Sequence, residues 1–336
     1  FTAAFEAAEP EYVPYVVETR GYGLSLEAEL IISSKFVLPA ELAADENAML
    51  KIQFIDDVTE ISLVEYLNGE GHTDNKGRMV IEQSVKSFWM THLVTVTITD
   101  GNGYAVNYVD YFGDSHEGSY QFGAENYVRT MDLAGETTIN AVRALLTYGA
   151  YAQDYFAAQG KANITEERAT AILTKYGYEP VDISGITEDD FAQEKTGSGD
   201  NFDGISIRGN QPTLDAAIYM KVQFNASGLE EADLGNYTYK LSYMVGNTKI
   251  EEDLVPEWDS RGRLVFYVYD IAAMLFDCMY DITITKTATG ETYTGSTSII
   301  SYMNDAYASF ANDASFQNLL KAMYAYNQAA NTHFGK

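Results

Sequence analysis

The feature that most constrains this chain of 336 residues is an internal duplication. The segment TRGYGLSLEAELIISSKF (19–36) aligns without a gap with IRGNQPTLDAAIYMKVQF (207–224). Further pairs follow in the same order: LKIQF (50–54) with YKLSY (239–243), KGRMV (76–80) with RGRLV (261–265), VTIT (96–99) with ITIT (282–285), and LLTYGAYAQDYF (145–156) with LLKAMYAYNQAANTHF (319–334). Because the order is retained throughout, we expect two copies of one module.

Within each copy, apolar residues alternate with period two, which is typical of strands with one buried face. In the first copy one such run contains Leu26, Ala28, Leu30, Ile32 and Phe36. Turn-forming tetrapeptides separate the runs, namely DNKG (74–77), DGNG (100–103) and TATG (287–290). The pattern predicts a mainly β fold of two homologous antiparallel β-sandwich modules, each closed by a C-terminal amphipathic α-helix.

Three domains are predicted along the chain: module 1 at residues 1–160, a helical and polar linker at 161–203, and module 2 at 204–336. The closing helix of module 1 is expected over 138–158, where apolar residues recur at helical spacing. In the linker, a short helix is expected to begin at Asn163, with Glu166 completing the cap, and to end at Gly177 and Pro180. The Gly-rich stretch 186–204 is expected to be a linker or an exposed loop, and residues 1–14 an extended lead-in.

Composition excludes several classes of function. The net charge of −28 and a pI near 4.3 repel polyanions, so nucleic-acid binding is not expected. No apolar run approaches the ~20 residues that span a bilayer, so membrane insertion is not expected either. The single cysteine, Cys278, precludes an intrachain disulfide and a cysteine-based zinc site.

No catalytic, metal or cofactor site is predicted. Gly113-Asp114-Ser115 resembles the nucleophile block of GDS-type esterases, but no histidine in the chain follows an aspartate by three residues, as the partner histidine of those enzymes does. Four scattered histidines give no transition-metal pattern, and Asp200 and Asp203 lack the spacing of a known calcium loop. Paired carboxylates of a glycoside hydrolase would need a cleft between the modules, and hydrolysis is the third alternative for function.

Several segments resemble a known class of module. GLSLEAELIISSKFVLPAEL, GRMV, AENYV and AVRALLTYGAYAQDYF resemble the sandwich-plus-helix modules repeated in large secreted and surface proteins of gut Firmicutes. The resemblance covers residues 20–156 well and 205–334 more loosely. It implies extracellular or cell-surface display in a larger multidomain assembly, and it implies no catalytic residue. Starch-adherence proteins of gut ruminococci are likewise built from tandem sandwiches, which favours α-glucan as a ligand.

Candidate binding residues are found where the two copies disagree. Alternation places Tyr267 and Tyr269 on the outward face of their strand, at positions that Glu82 and Ser84 occupy in the first copy. The outward residues of the first aligned strand of copy two are Tyr219, Lys221 and Gln223. Exposed tyrosines with amides and charges beside them are typical of a carbohydrate-binding face, because sugar CH groups stack on the rings. The alternative is that a helix or the other module covers this patch.

Trp258 is the second aromatic candidate, because it stands in the polar segment PEWDSRG beside Asp259. The alternative for Trp258 is packing beneath a loop. The predicted function is a non-catalytic extracellular glycan-binding or adhesion protein whose partner is a polysaccharide or surface glycan. A structural spacer or scaffold module without a small ligand is the alternative from another class.

Overall fold

The computed structural model describes residues 12–160 and 167–336. These residues form a mainly β structure with four sheets, in which nearly all neighbouring strands are antiparallel. They fall into two compact units. The first contains 12–23, 32–83 and 92–127, and the second contains 24–31, 84–91, 128–160 and 167–336.

The first unit holds a five-stranded and a four-stranded sheet. Its strands are β1 (Val16–Leu24), β2 (Ile31–Val37), β3 (Met49–Phe54), β4 (Asp57–Ser62), β5 (Met79–Ser84), β6 (Val94–Thr99), β7 (Asn107–Val109), β8 (Ser115–His116) and β9 (Tyr120–Phe122). The orders are β5-β2-β1-β7-β8 and β4-β3-β6-β9. Phe36 of one sheet contacts Tyr120 and Phe122 of the other, with ring centroids 6.0 and 6.2 Å apart, which is consistent with a β-sandwich.

The second unit also holds a five-stranded and a four-stranded sheet. Its strands are β10 (Thr196–Gly199), β11 (Ile205–Thr213), β12 (Tyr219–Ala226), β13 (Tyr237–Val245), β14 (Thr248–Asp253), β15 (Glu257–Trp258), β16 (Leu264–Val268), β17 (Tyr280–Lys286) and β18 (Thr292–Thr297). The orders are β10-β18-β17-β13-β14 and β11-β12-β16-β15. Phe224 contacts Tyr293, and Phe266 contacts Tyr239, so side chains of the two sheets also meet here.

Seven α-helices accompany the sheets in the described part of the chain. They are α1 (Ala40–Ala43), α2 (Leu63–Leu67), α3 (Ala124–Arg129), α4 (Glu136–Ala158), α5 (Ala169–Lys175), α6 (Ile299–Ser309) and α7 (Ala314–Phe334). The helix expected over 138–158 is present as α4. It packs along α7 and against the 3₁₀ turn Ser87–Trp89, while α7 packs against the 3₁₀ turn Ala273–Leu275.

Two details of the strands differ from the sequence-based expectation. The alternating run from Leu26 to Phe36 is not one strand, because β1 ends at Leu24 and β2 begins at Ile31. Leu26 and Leu30 are nevertheless buried, so a connecting segment can preserve the period-two pattern. In addition, β1 pairs with β7 in parallel, which is an exception to the expected antiparallel arrangement.

The segment expected to be a linker or exposed loop also carries regular structure. β10 adds an edge strand to the sheet through β18, and Phe191 is fully buried against Tyr307 and Tyr324. Polar and glycine residues concealed this packing in the sequence, because a single aromatic anchor has no periodicity. Helix α5 ends before Gly177, whose φ of +81° suits a helix C-terminus. Asn163 and Glu166, the expected cap, lie outside the described residues, as do positions 1–11 of the expected lead-in.

Candidate ligand-binding site

The outward tyrosines of copy two lie on adjacent strands of one sheet. β12 pairs with β16 in antiparallel register, and Lys221 lies directly opposite Tyr267. On β16, Leu264, Phe266 and Val268 are buried in the core, so the alternation turns Tyr267 toward the outer face, as the sequence predicts. The side chains of Tyr219, Lys221 and Gln223 are partly exposed along β12.

Tyr219, Tyr267 and Tyr269 form a cluster, here called the tyrosine platform. The ring centroids of Tyr267 and Tyr269 are 5.9 Å apart and their planes differ by 18°. Tyr219 lies 6.2 Å from Tyr267 and 5.7 Å from Tyr269. Tyr269 is 63% exposed, so the platform keeps an open ring surface in the second unit. A ligand with a flat apolar face can stack there.

A groove of about 490 Å³ adjoins the platform at the end of β16. One wall is formed by Tyr267, Tyr269 and Asp270, and the other by the end of β14 and the segment that follows it. Four carboxylates line the groove: Glu252, Asp253, Glu257 and Asp270. An aromatic wall with hydrogen-bonding groups beside it is the usual composition of a site for a polar organic ligand.

The phenols in the groove remain protonated at neutral pH. The pKa of Tyr267 is raised, first by partial burial and then by the negative charge of Glu257. The pKa of Tyr243 is raised in the same way, by burial first and by Glu252 second. A carboxylate accepts several hydrogen bonds, so Glu252 and Glu257 can accept donors of a ligand.

Asp259 and Gln223 belong to a structural network. The Asp259 carboxylate pairs with the Arg263 guanidinium at 2.5 Å and accepts backbone hydrogen bonds from Arg261 and Arg263. Hydrogen bonding from Arg263 is the main reason that the pKa of Asp259 is lowered to about 2. Arg263 also donates to the Gln223 side-chain oxygen at 2.5 Å. These contacts hold the turn before β16.

Trp258 is not part of the tyrosine platform. It belongs to β15, where it pairs with Leu264, a residue of the core face. Directly paired residues share a sheet face, so the indole lies on the face opposite to Tyr267. Its neighbour Glu257 pairs with Val265 and faces the platform side, which explains why the groove includes Glu257. Sequence reasoning could not place Trp258, because the register of a two-residue strand is set by the partner strand.

Asp270 is a groove residue that sequence reasoning missed. Its φ is +55°, in the left-handed region that few non-glycine residues occupy. In copy one the Val85 amide donates a hydrogen bond to the Leu30 carbonyl oxygen. In copy two the matching bond runs from the Ile271 amide to the Ile218 carbonyl oxygen. The segment from Leu264 to Ile271 is one residue longer than the matching segment from Met79 to Val85 in copy one. The additional residue is Asp270. This additional residue was the signal in the sequence by which Asp270 could have been found.

The other motifs considered in the sequence have structural surroundings. The His116 imidazole lies 3.6 Å from the Asp110 carboxylate and contacts the Tyr120 ring. Asp203 accepts hydrogen bonds from Tyr237 and Lys286, and Asp200 accepts one from the Thr292 amide. Within residues 12–160 and 167–336, no group of three or more His, Cys, Asp or Glu side chains is placed to hold a metal ion.

Comparisons with known proteins give no family assignment. No protein-family model matches the chain, and no curated protein matches it either. No helix in the described ranges is long and apolar enough to cross a membrane.

Proposed function

We propose that this chain is a non-catalytic glycan-binding or adhesion protein, and that the tyrosine platform binds a polysaccharide or surface glycan, with α-glucan as the preferred neutral ligand. The observation that supports this most is the arrangement of three tyrosine rings within 6.2 Å of one another on the outer face of β12 and β16. Their exposed faces suit the CH faces of sugar rings, which pack on aromatic side chains.

Neighbouring polar groups suit the hydroxyls of the same ligand. Lys221 lies opposite Tyr267 and can donate, while Glu257 can accept. The platform is open and solvated, so binding is expected to be weak. A dissociation constant of about 10 to 1000 µM corresponds to roughly 4–7 kcal/mol.

The proposal includes a tandem architecture of two homologous β-sandwich modules, each closed by its long helix. Support comes from a turn that both copies share. Asp74 and Asp259 each accept two backbone hydrogen bonds within the turn and pair with the arginine four residues later, Arg78 or Arg263. Duplicated side-chain chemistry at matching positions is expected if one ancestral module was copied.

The resemblance to repeated modules of gut Firmicutes supports an extracellular or cell-surface location and a place in a larger multidomain assembly. Tyrosines exposed on the face of a sheet suit the binding of a polymeric ligand outside the cell. In this proposal the chain contributes adhesion, and catalysis is left to other domains of the assembly.

Affinity gel electrophoresis tests the proposal directly. The chain is run through gels that contain starch, xylan or mucin, beside the double variant Tyr267→Ala/Tyr269→Ala. We expect retardation by starch that the double variant loses. The matched control is Tyr104→Ala, which removes a tyrosine that is 51% exposed in the first unit. Migration of the unaltered chain at the same rate in all three polymers and in plain gel would contradict the proposal.

A structural spacer is the second candidate, and the packing of α4 on α7 is the observation that favours it. Tyr148 and Tyr326 stack between these helices and are completely buried. Such a contact would hold elements of successive modules together without any small ligand. The spacer would be favoured if platform variants behave like the unaltered chain in every gel while helix variants lose stability.

A further inference from the structure

The groove beside the tyrosine platform has a composition that a neutral sugar does not require. Its aromatic wall is Tyr267 and Tyr269, and Tyr243 lies across it. Its charged lining is entirely negative, and Lys221, which lies opposite Tyr267 on β12, is not among the lining residues. A ligand seated on the platform and reaching into the groove would meet phenol faces and carboxylate oxygens.

The charges in the groove are only partly compensated. Lys240 lies 3.5 Å from Asp253, and both side chains are largely exposed. Glu252 and Glu257 lie near the phenols of Tyr243 and Tyr267, which are neutral and do not cancel a carboxylate charge. The net charge of −28 adds a negative field around the site. A ligand group that matches this groove is therefore a cation with several N–H donors.

Asp270 adds one of these charges at a position that the first copy lacks. It follows Tyr269 directly and lines the groove in a left-handed backbone conformation. In copy one the strand passes from Ser84 to Val85 without an additional residue. The extra aspartate thus accompanies the tyrosines that distinguish copy two from copy one.

A protonated amine suits both the carboxylates and the tyrosine rings of the groove. A sugar that carries a primary ammonium offers three N–H donors to carboxylates, and its positive charge is attracted to the faces of tyrosine rings. An acidic sugar would instead bring a second carboxylate close to Glu257 and Asp270. The same groove should therefore discriminate between glycans by charge.

We propose that the groove is a subsite for amino sugars: the platform stacks a sugar ring, and the groove carboxylates, Glu257 opposite Val265 and Asp270 beside Tyr269, bind ammonium groups of a 2-amino-2-deoxy glycan. This inference rests on the proposed glycan-binding function and specifies the class of sugar that gains most affinity. Neutral α-glucan uses the platform alone, and uronic acids are repelled.

Isothermal titration with four tetrasaccharides tests the inference: glucosamine tetramer, N-acetylglucosamine tetramer, maltotetraose and galacturonic acid tetramer, each in 150 mM NaCl. We expect the glucosamine tetramer to bind at least tenfold more tightly than its acetylated form, and the galacturonic acid tetramer to bind most weakly. Acetylation removes the charge and keeps the ring, so the ratio between these two ligands isolates the ammonium group.

Glu257→Gln/Asp270→Asn is the decisive variant. Glutamine keeps the size of glutamate, and asparagine tolerates a left-handed backbone, so both side chains are neutralised with little change in shape. In this variant we expect the ratio of affinities for the glucosamine and N-acetylglucosamine tetramers to fall from tenfold to below threefold. Glu188→Gln/Asp189→Asn removes the same charge from exposed positions outside the groove and should leave the ratio unchanged.

The titrations distinguish an error in the amino-sugar subsite from an error in the proposed glycan-binding function. Equal affinity for the two glucosamine-type tetramers, or an equal loss in both charge variants, overturns the amino-sugar inference. If maltotetraose still binds and Tyr267→Ala/Tyr269→Ala removes that binding, the glycan-binding function stands without the subsite. If none of the four tetrasaccharides binds, both proposals are overturned.

Discussion

The ring of Tyr148 in α4 stacks on the ring of Tyr326 in α7, with centroids 5.9 Å apart and planes 14° apart. The two tyrosines stand at matching places in the duplicated segments TYGAYA (147–152) and AYNQAA (325–330). The contact therefore joins two equivalent helix surfaces. Ala144, Ala152, Ala322 and Ala330 are fully buried in the same helices, which permits close approach.

The Tyr326 hydroxyl is a buried polar group that finds no hydrogen-bond partner among the described residues. Burial also raises its pKa far above the ordinary value for tyrosine, so it stays neutral. Tyr326→Phe removes the unsatisfied hydroxyl and keeps the ring stack, so we expect it to raise the free energy of unfolding by about 1 kcal/mol. Tyr326→Ala should lower it by about 3–5 kcal/mol by leaving a cavity.

Urea denaturation of the two variants, followed by circular dichroism, provides the measurement. The m-value should stay constant in Tyr326→Phe, because the surface exposed on unfolding hardly changes. A loss of more than 1 kcal/mol in Tyr326→Phe would show that the hydroxyl is satisfied and that the stacking account is incomplete.

Gly149 allows α4 to approach the 3₁₀ turn that precedes β6. A Cβ at this position would lie 3.0 Å from the Ser87 carbonyl oxygen and 3.2 Å from the Met90 side chain. Gly149→Val should therefore lower the free energy of unfolding by about 1–3 kcal/mol through overpacking. Ala157→Val in the exposed end of the same helix controls for the weaker helix propensity of valine. Similar losses in the two variants would exclude a role for close packing at Gly149.

The Asp259 turn should give a measurable dependence of stability on pH. The folded-state pKa of Asp259 is lowered to about 2, chiefly by hydrogen bonding from Arg263, whereas an unfolded aspartate titrates near 3.9. Its contribution is therefore fully present above pH ~4 and is lost as the pH falls toward ~2. The difference in Tm between the unaltered chain and Asp259→Asn should be constant from pH 7 to 4 and narrow below pH 4.

Asp74→Asn is the matched variant in copy one. Hydrogen bonding from Arg78 likewise lowers the pKa of Asp74, so the Tm difference for Asp74→Asn should also be constant from pH 7 to 4 and narrow below pH 4. Scanning calorimetry from pH 7 to 3 makes the comparison. A difference that grows as the pH falls would contradict the assigned pairing of either aspartate.

Trp258 provides a test of the sheet face that binds ligand. Because Trp258 pairs with Leu264 on the core side, Trp258→Ala should leave retardation in starch gels within about twofold of the unaltered chain, once both are shown to be folded by circular dichroism. Loss of retardation in a folded Trp258→Ala protein, with Tyr267→Ala/Tyr269→Ala unaffected, would move the site to the opposite face.

Alternation in the sequence assigned the faces of β16 correctly at most positions, although Val265 on the outward face is also buried. Leu264, Phe266 and Val268 are buried, and Tyr269 is exposed, as period two predicts. The same signal misled at residues 26–36, because a buried connection can alternate like a strand. It also gave no information on β10 and Phe191, whose burial depends on β18, Tyr307 and Tyr324 from distant parts of the chain.

The sequence by itself determined the mainly β composition, the turn at Asp74 and the outward direction of the platform tyrosines, because these depend on local periodicity and turn chemistry. Only the tertiary structure decided which of the outward residues meet. Strand register places Tyr219 beside Tyr267 and directs Trp258 to the opposite face of the sheet. Asp259 forms an ion pair with Arg263, and one additional residue places Asp270 in the groove. Register is set by pairing between segments far apart in the chain, and a single residue of shift reverses the face of every side chain that follows.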